Sequence, residues 1–202
     1  MDRLLEGYRR FRSDICPTAG RLFESLADEG QRPETLLISC SDSRVDPQVV
    51  FSAKPGEMFV VRNIAGLVPP YQPDARYHGT SAAIEYGVRV LGVSRIVVMG
   101  HAQCGGVRAL VEGAPPEARD FVEPWMAIAK SILRRPSNPD RAPNLVDHYE
   151  SEIIRLTLAN LLTFPWIREA VESRRLRLAG FHFDIRTGVL SILDGDEWAA
   201  VG

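Results

Sequence analysis

The sequence predicts an α/β fold with a central, mostly parallel β-sheet flanked by helices and an antiparallel edge strand at its C-terminal end. Three observations carry that expectation. The short apolar runs Thr35-Leu36-Leu37-Ile38-Ser39 and Arg95-Ile96-Val97-Val98-Met99 hold the branched residues that suit buried strands better than short helices. Between them, Thr80 to Leu91 has helical spacing instead, with Ala83, Tyr86 and Val90 in step. Near the end, Leu176 to Ile185 and Val189 to Leu193 read as a hairpin joined across Arg186-Thr187-Gly188. A length of 202 residues, 45% hydrophobic and 25% charged, suits a single domain over 1–202, with residues 1–30 as an N-terminal helical arm.

The other elements follow in chain order. Residues 1 to 12 place Leu4, Leu5, Tyr8 and Phe11 along one side of a helix, with Arg9, Arg10 and Arg12 largely on others. That stripe needs a partner, either its own domain or another chain. Arg21 to Glu29 offers a second short helix, stopped by Gly30. Pro47 opens a helical turn through Val49, Val50 and Phe51, Pro55-Gly56 turns the chain, and Met58 to Val61 forms the next strand. Residues 66 to 79, rich in Gly, Pro and Tyr, make a loop over a site. Gly92 stops the helix that follows, and Val107 to Val111 continues as a helix after the Gly105-Gly106 turn. Trp125 to Leu133 and Asn144 to Leu162 read as helices, the second capped by Asn144 with Leu145, Tyr149, Ile153 and Leu156 as its stripe.

Composition excludes several classes of function. A formal net charge of -2 gives no general basic field for nucleic acid, and no apolar stretch is long enough for membrane insertion. Met1-Asp2-Arg3-Leu4-Leu5-Glu6 has no basic region followed by an apolar core, so the expected location is cytoplasmic. Three cysteines make a disulfide framework improbable, and Cys16 is read as a packed thiol.

Chemistry concentrates in Cys40-Ser41-Asp42-Ser43-Arg44 and Gly100-His101-Ala102-Gln103-Cys104-Gly105-Gly106, each directly after a predicted strand. In an open α/β sheet the carboxyl ends of parallel neighbours face one crevice, where ligands bind. Either cysteine alone is equally well a small inert hydrophobe. With His101 three residues before Cys104, two thiols and an imidazole form the donor set that zinc favours, and three ligands leave a fourth position open. No Cys-x-x-Cys supports redox use of the thiols. Asp42 and Arg44 are either a loop ion pair or, beside a metal, a device in which Arg44 holds the carboxylate ionised and Asp42 accepts a hydrogen bond from the metal's water.

These motifs resemble those of the β-class carbonic anhydrases, of the plant-type branch. The resemblance also covers Phe59-Val60-Val61-Arg62-Asn63-Ile64-Ala65, Gly79 to Tyr86, and Asn160-Leu161-Leu162-Thr163, so it runs from Gln31 to Gly188. It implies a zinc enzyme with one Zn2+ per subunit that interconverts carbon dioxide and bicarbonate. Cys40, His101 and Cys104 would be the ligands, Asp42 and Arg44 the catalytic dyad, and Gln31, Phe59, Ile64, Tyr86 and Gly105 the substrate-binding residues. It further implies a homodimer or higher homo-oligomer, with the N-terminal helix reaching across to another subunit and the site wall completed by a neighbour.

Two departures from the family pattern sharpen the expectations. Some plant-type relatives carry a shuttle histidine four residues beyond the pocket tyrosine, where this chain has Val90; His78, on the loop near the mouth, is the alternative, while His148 and His182 read as surface or packing residues. The bicarbonate-inhibited branch uses a tryptophan and a late-strand tyrosine where Leu37 and Phe183 stand, so Asp42 is expected to pair with Arg44 rather than to ligate the metal. Two other functions stay open: zinc hydrolysis of carbon disulfide or carbonyl sulfide, and a non-enzymatic zinc-stabilised binding protein.

Overall fold

A computed structural model describes residues 1–133 and 145–202. Six strands, β1 (Thr35–Cys40), β2 (Met58–Asn63), β3 (Arg95–His101), β4 (Arg177–Phe183), β5 (Leu190–Asp194) and β6 (Glu197–Ala200), form one sheet in the order β2-β1-β3-β4-β5-β6. The first four are parallel, β5 is antiparallel to β4, and β6 is antiparallel to β5. The chain leaves β1 for β2 on one side and then crosses back to β3 on the other. Strand order therefore reverses between β1 and β3, and at such a switch point the carboxyl ends open a crevice.

Both faces of the sheet are apolar, as parallel strands covered on two sides require. Leu36, Ile38, Ile96 and Val98 share one core with helices α4 (Gly79–Glu85), α5 (Gly105–Glu112), α6 (Val122–Met126), α7 (Leu145–Leu161) and α8 (Pro165–Glu172). Leu37, Val97 and Met99 point the other way and pack with Val45, Phe51, Phe181 and Phe183, next to the short helix α3 (Pro47–Val50). Gly87, in the π-helical turn Tyr86–Val90 that continues α4, lets this segment settle on β1, because a Cβ there would run into the Leu36 side chain.

Five details differ from the sequence expectations. The N-terminal segment is one continuous helical arm rather than two helices: α1 (Asp2–Arg10) passes through a π-helical segment, Phe11–Ile15, into α2 (Cys16–Glu29). Pro17 occupies the first turn of α2, where its missing N–H costs nothing, and the wider turn before it makes room for its ring. Cys16 is half-buried instead of packed away, with Arg12 Nη1 3.6 Å from its sulfur. Beyond α6 the chain tightens to a 3-10 helix over Ala127–Ile132.

The buried face of α7 carries Val146, Tyr149, Ile153 and Thr157, so Leu145 is exposed where the periodicity put it inside. Asn144, its expected cap, lies outside the described residues. At the C-terminal edge there are two antiparallel strands rather than one. Asp194 pairs with Glu197 across Gly195-Asp196, a two-residue hairpin with Gly195 at φ 58.

Candidate metal centre

Cys40 is the last residue of β1 and His101 the last of β3, so neighbouring parallel strands deliver both side chains to the crevice. The turn Ala102-Gln103 then brings Cys104 to the start of α5. Gln103 sits at φ 58, a left-handed conformation costly for a residue with a Cβ, which marks the turn as held by its surroundings. The ligand atoms of Cys40, His101 and Cys104, all buried, lie within 4.8 Å of one another, and the sulfurs are 3.9 Å apart.

The three side chains are tightly coupled in their protonation. Cys40 is lowered to about 4, first because the Cys104 thiol hydrogen-bonds to it, against the cost of burial; the same contact pushes Cys104 up. Burial opposes a charged His101, yet the neighbouring Cys40 sulfur and the Ala102 carbonyl leave its pKa raised. His101 Nδ1 lies 2.8 Å from the Ala102 carbonyl oxygen and donates to it, which leaves the Nε2 lone pair free. That Nε2 is shut off from solvent and has no hydrogen-bond partner. A buried acceptor facing two thiols is what a soft or borderline cation would satisfy, so the donor set fits zinc.

Asp42 and Arg44 are joined at three points. Arg44 N and Nε donate to Asp42 Oδ1, both at 2.9 Å, and Nη2 donates to Oδ2 at 2.7 Å. Arg44 holds the Asp42 carboxyl well below the usual carboxylate range, and its own pKa is raised in return. Arg44 Nη2 also donates to the Gln103 carbonyl at 3.1 Å, tying the two ligand loops together, while Asp42 Oδ2 stands 3.9 Å from His101 Nε2.

Arg62 supports this loop from β2, a role the sequence did not suggest. Its Nε donates to the Cys40 carbonyl at 3.0 Å, its Nη2 to the carbonyls of Asp42 and Val45 at 2.7 and 2.9 Å, and its Nη1 lies 3.2 Å from Asp46 Oδ2. Glu150 was missed as well: from α7 its Oε1 accepts the Cys104 N–H at 3.0 Å. Only the fold brings residues 46 positions apart together, so periodicity had no signal for this contact.

The remaining candidates divide into two groups. Ile64 lines a cavity of about 480 Å3 together with Ser41, Asn63, His78, Thr80 and Trp125. Trp125 Nε1 donates to the Ile64 carbonyl at 2.9 Å, and Asn63 braces the turn by accepting from Leu67 N and donating to its carbonyl. Gly105 opens α5 directly beside Cys104, and His78 Nε2 lies 2.6 Å from Asp74 Oδ1. Gln31, by contrast, precedes β1, at the opposite end of that strand from Cys40. Phe59 pairs with Leu36 near the start of β2, and its ring meets Tyr86 at 6.0 Å. One chain alone does not bring Gln31, Phe59 and Tyr86 to the three donors. Leu37 and Phe183 face the second core and present no polar group there.

Comparison with known proteins agrees with this geometry. The family model for carbonic anhydrase matches residues 35–190. A carbonic anhydrase of Pseudomonas aeruginosa is 39% identical over 96% of this chain and 88% of its own length. Among solved structures, the β-carbonic anhydrase CcaA superposes with a TM-score of 0.89 at 31% identity, covering all of this chain and 92% of that one. One of two tetrameric β-carbonic anhydrases from Sordaria macrospora gives a TM-score of 0.83 at 28% identity, covering all of this chain and 98% of that one. On the matched span, the shared fold and the Cys-His-Cys cluster, the chain belongs to the β class of the carbonic anhydrase family, lyases that hydrate carbon dioxide.

Proposed function

We propose that Cys40, His101 and Cys104 hold one Zn2+ per subunit, and that Asp42, fixed by Arg44, orients the attacking water in the reversible hydration of carbon dioxide. The observation that carries this is the buried, unpartnered His101 Nε2 within 4.8 Å of two thiols. Zinc held by these three residues would supply a Lewis acid that brings the pKa of water toward neutrality. Asp42 Oδ1 accepts from both Arg44 N and Nε, whereas Oδ2 accepts from Arg44 Nη2 alone, so Oδ2 is the oxygen with a lone pair left to accept a hydrogen from solvent in the crevice. Because Arg44 keeps Asp42 ionised, it acts as an acceptor only. Ile64 would offer the apolar wall that suits a small linear substrate, and the Gly105 N–H, in the first turn of α5, would donate to a developing oxyanion.

The exposed half of the candidate set supports a homodimer or higher homo-oligomer. Tyr86 is 47% exposed, and the stripe Leu4, Leu5 and Tyr8 on α1 is open to solvent. A second copy would cover that stripe and would add its own Gln31, Phe59 and Tyr86 to this crevice. Among the described residues no helix is long and apolar enough to cross a membrane.

Stopped-flow hydration of carbon dioxide, run on zinc-loaded protein and on protein stripped by a strong chelator, tests the proposal. Activity should vanish on stripping and return with zinc. An inactive zinc-loaded protein, or a stripped one of full activity, would refute it. Parallel assays with carbonyl sulfide and carbon disulfide decide the substrate.

A further inference from the structure

We propose that Glu150 is a positioning residue of the metal centre, holding the Cys104 main chain in place with His182 behind it; the inference rests on Cys40, His101 and Cys104 being the ligands. Glu150 is 2% exposed and is the only buried carboxylic side chain among the described residues. No step of the reaction uses it, and it does not approach the open crevice. Its Oε1 accepts the Cys104 N–H at 3.0 Å, and its Oε2 is 3.6 Å from His182 Nε2, a nitrogen sealed from solvent and otherwise unpartnered.

The turn before Cys104 explains why such a clamp is needed. Gln103 is in the left-handed region, which a non-glycine residue leaves unless its neighbours are fixed. Three elements fix them. The Ala102 N–H donates to the Phe183 carbonyl of β4 at 2.9 Å, Arg44 donates to the Gln103 carbonyl, and Glu150 receives the Cys104 N–H. Without Glu150 the end of the turn that carries the sulfur is the one released.

Two glycines bring the clamp within reach. A Cβ on Gly100 would lie 2.6 Å from Ile154 Cδ1 and one on Gly180 would lie 3.0 Å from Ile154 Cγ2, so α7 settles closely on β3 and β4 only because both positions are bare. Gly100 also pairs with His182 across the two strands, which sets the imidazole beside the Glu150 carboxyl.

Zinc affinity measured by competition with a chromophoric chelator, together with the thiolate bands of Co2+-substituted protein and the melting temperature of the metal-free form, tests the assignment. Glu150→Ala should weaken zinc binding about 10- to 100-fold, the range for losing a group that orients a ligand, and should alter the cobalt bands. Glu150→Gln keeps an acceptor for the Cys104 N–H and should restore both. His182→Phe should give a smaller loss. Should the alanine variant not fold, Glu150→Asp, which withdraws the acceptor, is read the same way. Unchanged zinc affinity and cobalt bands in a folded Ala or Asp variant, even with a lower melting temperature, would reduce Glu150 to a packing role. A glutamine variant as weak as alanine would refute the hydrogen-bond clamp. A parent protein that binds no zinc would overturn the metal centre as well.

Discussion

The crevice at the carboxyl ends of β1 and β3 and the helical arm of residues 2–29 are built on opposite terms. In the crevice Cys40, His101 and Cys104 are buried, and the main chain around them is bonded by Arg44, Arg62 and Glu150 from different elements. Along the arm, Leu4 is 75% exposed, Tyr8 59% and Ile15 52%, and α1 has no buried residue. One chain thus gathers its three candidate ligands by itself and leaves an apolar stripe uncovered. On the proposed reading, the difference separates what a single copy would do, which is to bind a metal, from what a second copy would add, which is the wall over the substrate.

Breaking the crevice should give the largest effect. Replacing Cys40 or His101 with alanine removes one of three donors and should abolish both stoichiometric zinc and hydration, with the far-ultraviolet spectrum retained. Elemental analysis beside stopped-flow assay checks this. A variant that keeps full zinc content and activity would mean that the metal is held elsewhere.

Next in size is Asp42→Asn, which keeps the shape and removes the charge that Arg44 holds. If Asp42 orients rather than ligates, hydration should fall about 10- to 100-fold while zinc content stays at one per chain. The pH dependence has a definite sign. Arg44 depresses the folded pKa of Asp42, so the carboxylate's contribution is present above the ordinary value of about 3.9 and is lost only as pH falls below the usual carboxylate range. Asp42 therefore does not titrate in a working assay. The acid limb of the rate profile should lie at the same pH in the parent and in Asp42→Asn; a limb that disappears in the variant would assign it to Asp42.

How far the sequence could be read follows the same division. β1 and β3 were legible because both faces are buried, so their runs are apolar throughout, and the ligand motifs stand at their ends. β6 was not, because Glu197–Ala200 is mostly exposed and pairs on one side only with β5, leaving almost no hydrophobic signature. The arm's continuity was hidden by Pro17, a residue that normally ends a helix and here opens one. Arg62 and Glu150 escaped for another reason. Each acts on main-chain atoms far away in sequence, and a carbonyl or amide leaves no residue type to recognise.

The arm gives a middle-sized effect and tests the second half of the comparison. Leu4→Glu with Tyr8→Glu places charge on the stripe, and the protein should shift to smaller species by light scattering, with zinc content unchanged. Hydration should fall severalfold in step with the loss of larger species, if a neighbour supplies Gln31, Phe59 and Tyr86. Unaltered mass would show that the stripe is not the contact, and smaller species of full activity would show that one copy completes the wall.

The smallest effect should come from His78, which stands at the border of the two regions. Its ring lines the cavity shared with Ser41 and Ile64, while its Nε2 contacts Asp74 on the outer loop. Hydration releases a proton that must leave by a route separate from the substrate's, so slowing that exit lowers kcat without touching kcat/KM. His78→Ala should reduce kcat severalfold in weak buffer, with recovery as imidazole buffer is raised. Asp74 contacts His78 and pairs with Arg76, and Arg76, Glu85 and Arg89 line a cavity with His78. Asp74 is held low, first by its bond to His78, so Asp74→Ala, which removes the acceptor, should also slow release by freeing the ring from its orientation. A kcat independent of buffer in both parent and variant would take His78 out of the proton's path and leave the crevice to export it through solvent alone.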